Sequence, residues 1–258
     1  MELRRKLPLL IAVVFVASGV ALIVGLTSID AGSVGPPPAS IGDHMDRAIP
    51  APLLDAHFTD QEGGPVTLRQ FAGKAIFLVP FLTSCQEECP VTTGALLALE
   101  RELSAQHLTS KTAIVEVTVD PDRDTPERMA GYAKLTGVTW PMLTASPATL
   151  TKLWHFFGIY YQVVPEGSPA GTDWETGKPY TYDVNHSDGF ILIDPRLQER
   201  FVAAGMVAGA IVPKPLRRLL DAQGVYDSMH PGGGSWTVDQ AFNAIEWVLE
   251  QPSGRDGG

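Results

Sequence analysis

Twenty consecutive residues near the N-terminus, Leu7 to Leu26, carry no charge, and Ser18 is the one polar side chain among them. At about 1.5 Å rise per residue the stretch reaches about 30 Å, the hydrocarbon thickness of a bilayer, so it predicts a transmembrane helix over 7–26. Arg4, Arg5 and Lys6 stand directly before it. They predict a cytoplasmic stub over 1–6 and a single-pass protein of the cell membrane, its soluble part on the extracytoplasmic, periplasmic side. A signal peptide cleaved after Ala31 is the competing reading, but such peptides have shorter apolar cores, about 7–15 residues. Residues 27–51 lose apolar periodicity and are rich in Pro, Gly and Ser, which predicts a tether. The folded domain is expected over 52–258.

Within that domain the pattern switches between short apolar runs and helical spacing. FTDQEGGPVTL reads as a hairpin turning at Gly63-Gly64. AIFLVPF (75–81) is apolar throughout, as in a strand covered on both faces. From Pro90 to Leu103, Leu96, Leu97, Leu99 and Leu103 give a helix its apolar side. KTAIVEVTV (111–119) is the next strand, and Asp124-Thr125-Pro126-Glu127 and Ser146-Pro147 each open a helix with a cap and an early Pro. GIYYQVV (158–164), TYDVNH (181–186) and GFILID (189–194) read as strands. A last helix is predicted from Thr237, with Gln240 completing a capping box and Val238, Phe242, Ile245 and Val248 or Leu249 facing inward. This order predicts an α/β domain: a mixed central sheet with helices on both faces.

The net charge of −10 excludes nucleic acid as an expected partner, since phosphate binding relies on Lys and Arg. The chemistry gathers at FLTSCQEECP, where the chain's two cysteines, Cys85 and Cys89, sit between an apolar strand and a helix. A helix N-terminus stabilises a thiolate, and a spacing of four brings two sulfurs close enough to share a metal or to form a disulfide. A purely structural disulfide would close a very short loop and contribute only about 2 kcal/mol. Among six histidines, His44 lies in the tether, His57 precedes the first strand, His107 follows a helix and His155 sits among aromatic residues. His230 and His186 are in loops; that of His186 leads into an apolar strand, a usual place for function. Glu87 or Glu88 could add an oxygen ligand, although charged residues in an exposed turn are usually just solvated.

Three blocks together carry a resemblance. GKAIFLVPFLTSCQEECPVTTGALLALE, VEVTVDPDRDTPERMAGYAK and YDVNHSDGFILIDP, all within about residues 57–204, resemble the Sco/SenC copper proteins in order and spacing. The resemblance implies a thioredoxin-like fold with copper, as Cu(I) or Cu(II), held by Cys85, Cys89 and His186. It further implies a metallochaperone that delivers copper to the dinuclear centre of cytochrome c oxidase, or reduces the receiving cysteines there. The partner is then the oxidase's copper-receiving subunit. The alternative is an extracytoplasmic thiol–disulfide oxidoreductase using Cys85 and Cys89, although redox motifs usually have two intervening residues. Gln86 stands where the family often has Pro, and Asn185 where it often has Asp; residues 205–258 match nothing in it.

Overall fold

The computed structural model describes residues 34–250. The expected span at 7–26 therefore lies outside the described residues, and among those described no helix is long and apolar enough to cross a membrane. In chain order the elements are β1 (Gly42–Ala48), α1 (Ala51–Leu54), β2 (Phe58–Asp60), β3 (Pro65–Val66), a 3-10 turn (Leu68–Phe71), β4 (Ala75–Phe81), α2 (Cys89–Ala105) and β5 (Thr112–Thr118). There follow α3 (Pro126–Thr136), β6 (Met142–Thr144), α4 (Pro147–Phe157), β7 (Tyr161–Pro165), β8 (Tyr182–His186), β9 (Gly189–Ile193), β10 (Gln198–Ala204), α5 (Lys214–Arg217), α6 (Ala222–Met229) and α7 (Val238–Glu250).

Eight strands form one mixed sheet in the order β1-β10-β9-β4-β5-β6-β2-β3. β4, β5 and β6 run parallel, while β9 is antiparallel to β4 and β10 to β9. All seven residues of β4 are buried, so both faces of the sheet are covered there. β9 accompanies β4 only from Ile76 to Leu78. Beyond that point β4 has a neighbour on the β5 side alone. Because the Phe81 carbonyl accepts Val119 N–H on that side, the backbone of Pro80 faces the open edge, where a missing N–H costs no ladder bond. The parting of β9 from β4 opens the sheet at the C-terminal end of β4, where the cysteines begin.

The helix starts follow their caps. The Thr125 hydroxyl accepts from Arg128 N and that of Ser146 from Thr149 N, and each helix stops at a left-handed glycine, Gly137 or Gly158. The capping box at α7 forms as expected, Thr237 with Gln240. Its buried face is Ala241, Ala244, Ile245, Trp247 and Val248, with Val238, Phe242 and Leu249 half-buried against the core. α2 and α3 are joined by a Thr93–Tyr132 hydrogen bond, and α7 packs beside α2.

Three expectations are corrected. Residues 42–48, read as tether, form β1, paired antiparallel with β10. Half-exposed edge strands carry little periodicity, and β1 is irregular between His44 and Arg47. The strand read over 158–164 begins only at Tyr161, because Gly158 ends α4. TYDVNH stays outside the main sheet and pairs with β7 as a separate ribbon.

Candidate metal centre

The run of apolar side chains ends at Leu82, and a polar turn carries the chain to α2. Cys89 is the first helical residue and Pro90 the second, so Pro's missing N–H falls where none is needed. Cys85 precedes the helix. Its sulfur accepts the Cys89 N–H at 3.3 Å, serving one of the orphan donors of the first turn. The closeness of the two sulfurs therefore comes from this turn and not from helical i, i+4 spacing. Both cysteines are free thiols; Cys89 is buried and Cys85 half-buried.

His186, 97 residues further on, ends β8, and its Nε2 lies 3.6 Å from Cys89 Sγ. Its Nδ1 is paired with the Ser187 carbonyl at 3.0 Å, which turns Nε2 toward the sulfurs. The chain then reverses at Gly189, φ 125°, where a Cβ would come within 2.0 Å of the Ala203 carbonyl. Only glycine lets β9 start this close to β10 after the histidine loop.

The aspartate-rich segment before α3 locks both halves of the site. Asp120 pairs with Arg123 and accepts from the Tyr182 hydroxyl at 3.0 Å, while Arg123 donates to the Tyr182 carbonyl at 2.9 Å and lies over the tyrosine ring. These contacts hold the strand that bears His186. Asp124, fully buried, accepts from the Thr83 amide at 3.2 Å, from the Thr83 hydroxyl at 2.5 Å and from the Thr118 hydroxyl, which fixes the chain two residues before Cys85. Arg128 donates to Thr83 Oγ1 at 2.7 Å and to Asp173 at 2.9 Å. Trp174 donates to the Thr83 carbonyl at 2.9 Å. Sequence reading saw Asp124 and Thr125 as helix-start signals and missed the site-building roles of Asp120, Arg123, Asp124, Arg128 and Trp174. The signal available was several charged residues in a segment that had to be largely buried.

The thiols are electrically unequal. The hydrogen bond from Cys89, helped by His186 and opposed by burial, holds the Cys85 thiol well below the usual range. The same bond, with burial, pushes Cys89 well above it. Burial works against a charged His186, yet the hydrogen bond to Cys85 and the charge of Asp188 outweigh it and raise the imidazole to about 9. The surroundings thus favour negative charge on Cys85 and positive charge on His186, and favour the proton on Cys89. Burial, then a hydrogen bond with Asp188, pushes Glu88 up to about 10, so it is a neutral acid and a poor metal donor. Burial followed by the Cys85 charge raises Glu87 to about 7. Glu87 is exposed, as expected of a solvated turn residue, whereas Glu88 is half-buried.

A cleft of about 740 Å³ opens over this group, walled by Cys85, Glu87, Asp183, His186, Asp188 and Asp221 among others. None of the other five histidines lines it. His44 packs edge-on against Phe201 and Trp247, His230 stacks on Tyr226, and His155, expected among packed aromatics, is exposed. Two soft sulfurs and one imidazole suit copper. The 3.6 Å between Cys89 Sγ and His186 Nε2 is close to the separation of two donors sharing one ion, at about 2.3 Å from sulfur and 2.0 Å from nitrogen. Among the described residues no three His, Cys, Asp or Glu side chains are already closed into a metal cluster. Gln86 reaches across to the Thr172 carbonyl at 3.4 Å, and Asn185 is exposed, paired with Gln162 across the ribbon.

The family model described as SCO1/SenC matches residues 53–206. The human mitochondrial SCO2 homolog is 27% identical over 141 residues, covering 55% of this chain and 49% of its own length. A putative copper-binding protein of Stutzerimonas stutzeri is 27% identical over 150 residues, covering 58% and 66%. The chain thus spans about half to two thirds of the length of these relatives. The crystal structure of a SCO1/SenC family lipoprotein from Bacillus anthracis superposes with a TM-score of 0.50 at 24% identity, covering 69% of this chain and 95% of that one. Its likeness supports the mixed sheet and helices found here. With more than half of its residues matched by the family model, in the region that holds both cysteines and the histidine, the chain belongs to the SCO1/SenC family.

Proposed function

We propose that this chain is a copper metallochaperone that holds one copper ion with Cys85, Cys89 and His186 and serves the dinuclear copper centre of cytochrome c oxidase. It passes the ion to the copper-receiving subunit or reduces that subunit's cysteines. The carrying observation is the 3.6 Å approach of His186 Nε2 to Cys89 Sγ across 97 residues of chain. Family membership and a relative named as copper-binding support the same reading. Copper, as the cargo, draws on the affinity of thiolates for Cu(I) and of imidazole for either oxidation state. Cys85 offers the more readily ionised sulfur, while Cys89 and His186, both pushed upward, hold their protons more tightly. The apolar stretch 7–26 would keep the domain on the extracytoplasmic face of the membrane. The test is titration of the reduced protein with Cu(I) and Cu(II). One equivalent is expected to bind tightly, and none in Cys85→Ala, Cys89→Ala or the oxidised disulfide form. Equally tight, stoichiometric binding in either variant would overturn the site.

The unequal thiols favour a second role on the same residues. A depressed Cys85 can attack a partner disulfide, forming a mixed disulfide and releasing one partner thiolate. Cys89, once deprotonated, then displaces the second, leaving Cys85–Cys89 oxidised and the partner reduced by two electrons. Trapping a mixed disulfide with Cys89→Ser would support this role. Failure to reduce any disulfide-bearing acceptor while copper still transfers would remove it.

A further inference from the structure

The family match ends at residue 206, yet the chain beyond it does not trail away. Residues 207–236 leave the end of β10 and return to the same place. Val207 bridges Trp236, Ala208 N donates to the Trp236 carbonyl, and Trp236 N donates to the Met206 carbonyl. Between those ends the segment is anchored by buried Val212, Leu216 and Leu219. It lies so close to α2 that a Cβ at Gly94 would meet Pro213 at 3.2 Å and the Ile211 carbonyl at 3.3 Å.

Its second helix, α6, bears directly on the turn between the two cysteines. Asp221 N donates to the Gln86 carbonyl at 2.8 Å, while the Asp221 carboxylate caps α6 through Gly224 N at 2.7 Å. At Gly224 a Cβ would stand 2.5 Å from the Gln86 carbonyl oxygen and 2.7 Å from Glu87 Cα, both backbone atoms that cannot swing aside. On the other side the Gln86 side chain is gripped by the loop before β8. It bonds the Thr172 carbonyl, and its oxygen fills the space a Cβ on Gly171 would need. Residue 86 is therefore clasped between two elements, immediately beside Cys85.

We propose that residues 207–236 are a brace for the thiol turn, with Gly224 and the Asp221 N–H as positioning elements that set the geometry and accessibility of Cys85. The turn must rearrange whenever the two sulfurs pass between dithiol and disulfide, and the brace sets how readily it does so. This goes beyond the copper reading and does not depend on it.

Gly224→Ala tests it. Alanine favours a helix over glycine, so α6 itself gains from the change; a local defect then reports the contact with the turn. In the metal-free, reduced full chain the expected result is alkylation of Cys85 by iodoacetamide at least fivefold faster. A shift of at least tenfold in the dithiol–disulfide equilibrium constant against glutathione should accompany it, with an unchanged circular dichroism spectrum. Gly232→Ala, at an open position, should match the parent. Alkylation and equilibrium both at parental values in a folded Gly224→Ala protein would overturn the brace. If that variant does not fold, Asp221→Ala and Asp221→Pro serve. Both lose the cap, but only the second loses the N–H to Gln86, so faster alkylation in the proline variant is expected and equal rates would overturn the proposal. Neither readout involves copper, so a failed copper titration and a failed brace are told apart.

Discussion

Arg128→Ala should loosen the scaffold beneath Cys85 by about 3 kcal/mol. Arg128 is only 7% exposed and joins three elements: Thr83 at the end of β4, α3, and the loop carrying Asp173, Trp174 and Glu175. Breaking a buried ion pair typically costs about 3–5 kcal/mol, because the remaining charge is stranded. Here Asp173 keeps the amides of Glu175 and Thr176, each at 2.9 Å, so it is not wholly stranded and its share falls to about 1–2 kcal/mol. Glu175 is half exposed, and its pair with Arg128 is worth less than about 1 kcal/mol. The guanidinium lies 5.0 Å from the Trp174 ring centroid, adding about 1 kcal/mol, and the bond to Thr83 adds about as much again. For a domain of this size 3 kcal/mol lowers Tm by about 6–12 °C. Urea unfolding followed by circular dichroism, with the slope unchanged, measures it. Arg128→Lys should fall between, since one ammonium cannot span Thr83 and Asp173 as the guanidinium fork does. A loss below about 1 kcal/mol for the alanine variant would refute the assignment of this network as the support of the thiol turn.

Glu116 is buried against Trp140 Nε1 at 2.8 Å, and burial raises its carboxyl from 4.5 to about 7. Between those pH values the folded protein holds a proton that the unfolded chain has lost, so its contribution to stability falls as pH rises, by at most about 3 kcal/mol. From pH 4 to 8 the Glu116→Gln variant should therefore gain stability relative to the parent, by at most about 3 kcal/mol, and a flat difference in pH-resolved urea melts would contradict the burial argument. Copper binding at pH 7 should release about two protons, one each from Cys89 and His186, because the Cys85 thiol is held low while those two groups are held high. Calorimetry in buffers of different ionisation enthalpy counts them, and a proton count near zero would mean that the resting charge states are misassigned. His186→Ala should keep the fold and weaken Cu(II) more than Cu(I), since two thiolates alone can hold Cu(I). Equal loss for both ions in paired titrations would argue against that division of labour.

Elements whose signal is local were legible along the chain. The unbroken apolar run of β4, the caps at Thr125, Ser146 and Thr237, and the cysteines at a strand-to-helix junction all depend on neighbours within a few residues. Their physics acts before tertiary structure does. His186 was singled out by its loop and by resemblance, but no local pattern could place it beside Cys89. That contact follows from β9 lying next to β4, while the ribbon of β7 and β8 is pinned by Arg123 and Asp120. β1 was illegible for the same reason, since an edge strand's stability comes from a partner 150 or more residues away, at Val202 and Ala203 among others. The extension was opaque as well. Only the packed structure shows that Gly224 is glycine because the backbone of Gln86 and Glu87 occupies the space a side chain would need. Local composition determined which segments are strands, helices and reactive turns. Long-range packing determined which of them meet, because contacts across a hundred residues leave no periodic trace in either partner.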